Sequence, residues 1–260
     1  MNKVVLIFLV LLLPLLPIAG QTARASVPLH NCNVYRGFLS GDMGVWTKGI
    51  AQQEEKYRLS RSSEDLFVLI LSKYGYIGFI IGMKKSEEAK EMLTSAEENV
   101  EVLVKDKEYT ARATALRGAL IAMRISLNPV KATYLGMRSF KQMEEALQID
   151  SNDPTSWVEM GNARYHMPSV VGGSYKEAAR CFSQAVILYE KNPANLICNW
   201  HYLHALVWLA QSHDKLGDTA EAKKIYEKIL RLEPEFQWVK KELYPDLIKR
   251  IGQQGTNRPH

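Results

Sequence analysis

The sequence predicts an all-α chain built as a solenoid of stacked antiparallel helix pairs. Three observations predict it. Bulky and small apolar residues recur at helical spacing in several separate segments. Alternating Val, Ile and Thr runs, the mark of strands, are scarce. Helix-ending and helix-starting signals, Asp153-Pro154 and Pro234 among them, punctuate the periodic segments. The 260 residues, 47% hydrophobic and 23% charged with a formal charge of +5, exclude a disordered, collagen-like or disulfide-dense chain.

The chain opens with Met1-Asn2-Lys3, an apolar run over 4–18 broken only by Pro14 and Pro17, and Ala23-Arg24-Ala25. This is the layout of a secretory signal, and the run is shorter than the ~20 residues of a membrane span. Cleavage after Ala25 is expected, with cleavage near Gly20 or a retained anchor as alternatives. An exported chain, periplasmic or secreted and soluble after cleavage, follows, with no stable membrane span. Loss of residues 1–25 takes two of the 33 bases and none of the 28 acids, leaving +3. No basic stripe stands out along the sequence, so nucleic-acid binding is not expected. Cys32, Cys181 and Cys198 allow at most one disulfide and leave one thiol free; the pairing stays open, and Cys181 and Cys198 read as small buried residues.

Residues 26–65 read as an N-terminal segment whose helix, Met43–Leu59, is capped by Asp42 and covers one end of the array. Leu66–Met83 is the most apolar stretch left. Lys73 and three glycines, Gly75, Gly78 and Gly82, make it a buried helix rather than a span. Ala89, Leu93 and Ala96 form the stripe of its partner helix. Met143, Ala146 and Leu147 repeat that stripe in the second unit. The third unit opens at Trp157 and Gly161 and continues through Tyr175, Ala178, Phe182 and Ala185. The fourth, Leu206–Pro234, sets Ala222, Ile225, Tyr226, Ile229 and Leu230 on one face, behind the turn Lys215-Leu216-Gly217-Asp218. Residues 235–251, with Trp238, Leu243, Leu247 and Ile248, read as a closing helix broken at Pro245, and 252–260 as a flexible tail.

Trp157, Gly161, Ala178, Phe182 and Ala185, with Gly217, Ala222, Tyr226 and Pro234, resemble the large–small pattern of the tetratricopeptide repeat (TPR) family. The resemblance covers about four units over 66–234 and implies a right-handed superhelical solenoid with capping helices at both ends. The chain looks like an exported bacterial subgroup with interrupted repeats. Long links at Asn128–Tyr134, Met167–Ser174 and Ile187–His201 are the interruptions. The stretch Pro168–Ala178, with Gly172-Gly173, is also similar to the periplasmic T component associated with TRAP transporters.

The resemblance places a concave, partner-binding wall on the first helices of the pairs: Thr155, Val158, Asn162, Tyr165 and His166, then His204, Val207, Trp208, Gln211 and Lys215. Asn162 matches a position that holds peptide backbone in relatives, or serves structure alone. Val158 stands where carboxylate-clamp relatives carry a base, so acidic C-terminal peptides are not the expected ligand. Trp157 is expected to be buried, with truncation costing ~3–5 kcal/mol. In the link Met167–Ser174, Val170 and Val171 either carry function or tuck onto a neighbouring pair.

Two constellations have the residue types of chemistry. Cys198, His201 and His204 are spaced by three, but the outer two lie too far apart to grip one ion easily. Ser212-His213-Asp214-Lys215 are consecutive, so on a helix they point about 100° apart and form no relay. No HExxH, GxSxG or paired-CxxC pattern occurs. The sequence therefore predicts a non-catalytic module that needs no metal or cofactor and binds an envelope protein or peptide. The alternative is a small-solute-binding accessory of a transporter.

Overall fold

A computed structural model describes residues 30–256. Residues 1–29, on which the expected signal segment falls, and 257–260 lie outside the described residues. Within them the chain forms eleven α-helices: α1 (Cys32–Ser40), α2 (Met43–Ser60), α3 (Ser63–Gly82), α4 (Ser86–Leu103), α5 (Thr110–Leu127), α6 (Ala132–Ile149), α7 (Pro154–His166), α8 (Tyr175–Glu190), α9 (Trp200–Lys215), α10 (Thr219–Leu232) and α11 (Tyr244–Thr256). No strand is present among the described residues. Pairs α3/α4, α5/α6, α7/α8 and α9/α10 stack in chain order, with α3 on α5, α5 on α7 and α7 on α9. The fold is thus an all-α repeat solenoid.

Local sequence starts and stops each helix. Asp42, Ser62, Asp153, Ser174, Asn199 and Asp218 each accept a backbone N–H of the following turn. Pro154 occupies the first turn of α7, where no N–H is needed. Gly217, at φ +81°, ends α9 in the left-handed region open to glycine. The small residues permit close approach: a Cβ on Gly161 would stand 2.7 Å from the Phe182 ring. Ala89, Leu93 and Ala96 of α4, and Ala178, Phe182 and Ala185 of α8, are fully buried.

α3 is long and apolar enough to cross a membrane, yet 72% of its apolar stretch is buried inside the protein. The Lys73 side chain, 4% exposed, reaches Glu54 at 2.8 Å and donates to Ser95 Oγ at the same distance. A buried lysine with these partners belongs to a core helix.

Four expectations change. Trp157 is only half buried: its Nε1 donates to Ser151 O (2.8 Å) and Arg180 lies over its ring. The C-terminal helix is not broken at Pro245. The chain widens into a π-helical turn at Val239–Leu243, just before a proline that cannot donate an N–H, and α11 then continues to Thr256, past the expected start of the tail. α1 is an additional helix. The N-terminal segment does not simply cover one end: it reaches across to the last unit. Cys32 is disulfide-bonded to Cys198, 166 residues away, and Cys181 is the free, buried thiol. Phe38 packs on Trp46, Trp200 and Phe236, and Tyr35 donates to Glu233 Oε1 (2.6 Å). Tyr35, Phe38 and Trp157 lie against both of the protein's apolar cores.

Candidate partner-binding surface

α7 and α9 carry the wall that the sequence singled out, and the structure divides it into layers. Thr155 is buried, 2% exposed, and offers nothing to a partner. Val158 and Val207 are likewise fully buried. One turn beyond Thr155, Glu159 is a buried carboxylate with all its needs met from within the chain. Its Oε2 accepts from Tyr74 Oη (2.7 Å) and Asn162 Nδ2 (3.0 Å), and its Oε1 lies 3.1 Å from His201 Nε2. His201 Nδ1 in turn meets Tyr189 Oη at 2.9 Å. The network ties α3, α7, α8 and α9 together. Burial beside Glu159 holds the Tyr74 hydroxyl well above the usual tyrosine range.

Asn162 and His204 sit between this interior and the surface. Trp208 Nε1, which can only donate, lies 3.2 Å from His204 Nδ1, so Nδ1 accepts. His204 Nε2 then carries the proton and faces Asn162 Oδ1 at 3.2 Å. Burial, with His201 and His166 adding, pushes His204 well below the ordinary histidine value, in keeping with this neutral tautomer. Asn162 spends its amide on Tyr74 and Glu159.

The outer layer is aromatic. Tyr165 meets Trp208 at 4.8 Å, Tyr175 at 5.1 Å and His166 at 5.0 Å between centroids, all edge-on, and His166 meets Trp208 at 4.9 Å. Edge-to-face rings at these distances attract one another by about 0.5–1.5 kcal/mol a pair. Tyr165 and Trp208 are half buried, His166 and Tyr175 exposed. Gln211 turns inward toward Tyr226, and Lys215 is exposed at the far end of α9. Of the expected wall, then, Tyr165, His166 and Trp208 form one surface cluster. Sequence reasoning missed Glu159, Tyr74 and Tyr175. Glu159 sits three residues before Asn162 on one helix face, but nothing local shows that the face is covered by α3.

The remaining constellations are occupied structurally. Cys198 is in the disulfide. Ser212 Oγ donates to Trp208 O, His213 faces Asp218, and Asp214 takes both guanidinium nitrogens of Arg250 (3.0 and 2.7 Å). Val170 and Val171 do not tuck onto a neighbouring pair. They project outward, 90% and 57% exposed, because the link is held from below by Arg164 Nη1 on Gly172 O (2.8 Å).

An array of stacked helix pairs with this large–small packing defines a helical-repeat protein. Residues 203–236 match the family model described as the tetratricopeptide repeat. The matched stretch covers most of α9 and all of α10. Among solved structures, the HusA haemophore from Porphyromonas gingivalis shares the fold at 18% identity and TM-score 0.51, covering 70% of this chain and 92% of that one. A thermophilic TPR protein of Thermus thermophilus aligns at 18% identity and TM-score 0.49 over 85% of this chain and 96% of that one. Comparison with curated proteins returned no match.

Proposed function

We propose that this protein is an exported, non-catalytic interaction module of the bacterial envelope, and that it engages a protein or peptide through the aromatic cluster of Tyr165, His166, Tyr175 and Trp208. The observation that carries the proposal is a cluster of four edge-on rings reaching the surface of the stacked helix pairs, with Trp208 in the matched tetratricopeptide repeat, while the titratable residues beneath them are engaged in bonds within the protein. Rigid aromatic anchors bind with little loss of side-chain entropy. The Cys32–Cys198 disulfide supports export, since such bonds persist in oxidising compartments. Trp208→Ala paired with Tyr165→Ala tests the reading. Envelope protein captured reproducibly by the folded wild type should be lost from this double variant. Capture unchanged by it would refute the surface.

The second reading is a small-solute carrier serving a transporter. The surface cluster favours it through its planar rings and exposed His166. The fold likeness to a haemophore directs the first assay to a porphyrin. Titration with haemin should shift the Soret band in wild type and not in His166→Ala. An unshifted spectrum would remove this reading.

A further inference from the structure

The links inside the second and third units leave apolar side chains in water. The connection from α5 to α6 contains a 3₁₀ turn, Pro129–Lys131, and that from α7 to α8 another, Ser169–Val171. Val130 is 88% exposed and Val170 90%; Tyr134, Met137 and Val171 are each more than half exposed. Because α5 stacks on α7, both connections emerge at the same edge of the array. The second link is built to hold its pose. Gly172 takes φ +102°, and a Cβ on Gly173 would stand 1.8 Å from Met167 O. Ser174 N–H also donates to Arg164 O (2.7 Å).

Charge within these two links is one-sided, while Glu177 follows Lys176 directly and Glu87 and Asp218 are exposed at the neighbouring links. No acid occurs from Tyr109 to Met143, or from Met160 to Lys176. Lys131, Arg138 and Lys176 are exposed among the apolar tips. At the opposite end of α6, Glu144, Glu145, Asp150 and Asp153 follow one another, with no Lys or Arg over 142–163. Lys131 stands at the start of α6 with no acid in the first turn, the reverse of what the helix dipole favours. Helix stability therefore does not explain the placement. The sequence scatters these residues over two segments, and only stacking gathers them.

We propose that this edge docks on an anionic lipid surface, with Val130, Tyr134, Met137, Val170 and Val171 entering the headgroup boundary and Lys131, Arg138 and Lys176 meeting lipid phosphates. Projecting apolar tips ringed by bases suit an interface that closes around them. A peptide is gripped by a concavity, and a nucleic acid needs successive stacking faces, of which these five tips offer one, Tyr134. The attachment is peripheral.

Co-flotation of the purified protein with vesicles tests it. Vesicles of phosphatidylglycerol with phosphatidylethanolamine should carry the protein up, less so at high salt, and vesicles of phosphatidylcholine should not. Val130→Asp with Val170→Asp, and separately Lys131→Glu with Arg138→Glu, should each lower the bound fraction about tenfold with the melting temperature unchanged. The variants share the wild-type N-terminus, so their difference isolates the edge. Absence of flotation on the anionic vesicles, equal flotation on phosphatidylcholine, or equal flotation of the variants overturns the proposal. So does loss of a protein or nucleic-acid partner in these variants without vesicle binding by the wild type.

Discussion

Gly75 shows how much a single hydrogen atom decides. A Cβ there would lie 2.5 Å from Trp46 Cζ2 and 2.8 Å from the Trp200 ring, so Gly75→Ala must push two indoles apart. A loss of about 1–3 kcal/mol is expected, read by thermal melting and a change in tryptophan fluorescence. Gly136 is the contrast: nothing lies within 4 Å of its missing Cβ, so Gly136→Ala in α6 should stabilise by about 0.5–1 kcal/mol. Trp157→Ala should cost roughly 1–2 kcal/mol, below the figure for a fully buried ring. The sequence marks such positions by residue type but not by depth: Trp157 and Phe182 fit one pattern, yet only Phe182 is fully enclosed.

Two histidines at this scale make stability depend on pH. Burial, with His201 and Arg112 adding, pushes His30 down to about 4, and His204 lies well below its ordinary 6.5. Unfolded, both take up protons near 6.5, so the unfolded chain binds more protons below that pH. Their contribution to stability is complete above about 6.5 and falls as pH drops toward 4. The melting temperature should therefore be several degrees lower near pH 5 than near pH 7.5, and His204→Asn should flatten part of the slope. A profile unchanged between the two would contradict buried neutral histidines.

Among the elements, those with their own periodicity were legible and those held by distant partners were not. α10 reads directly from Ala222, Ile225, Tyr226 and Ile229, all buried, and from Asp218 at its cap. α1 has nine residues, and its stability comes from elsewhere: the Cys32–Cys198 bond, Phe38 among three rings and the Tyr35–Glu233 hydrogen bond. Cysteine count limited the pairing to one bond without naming the partners, because 166 residues of chain separate them. Closing so long a loop removes about 5 kcal/mol of unfolded-chain entropy in the simplest treatment. Cys32→Ser should lower the melting temperature by roughly 5–15 °C and raise hydrogen exchange in α1 before other helices.

Across the whole molecule, the repeat pattern supplied the stacking order and the large–small packing, while the closure of the array came only from contacts between its ends. Tyr74 of the first unit and His201 of the fourth meet over Glu159 of the third, which fills part of the wall that an open superhelix would expose. The part left free is the aromatic cluster at Tyr165 and Trp208, together with the apolar edge at Val130 and Val170. No local spacing encodes which faces the returning N-terminus covers. Peptide mapping of the unreduced protein, purified from its native cells with thiols blocked, tests this closure most directly. One linked peptide pair containing Cys32 and Cys198 is expected, with Cys181 recovered as a blocked thiol only after unfolding. Three blocked thiols, or a bond to Cys181, would contradict it.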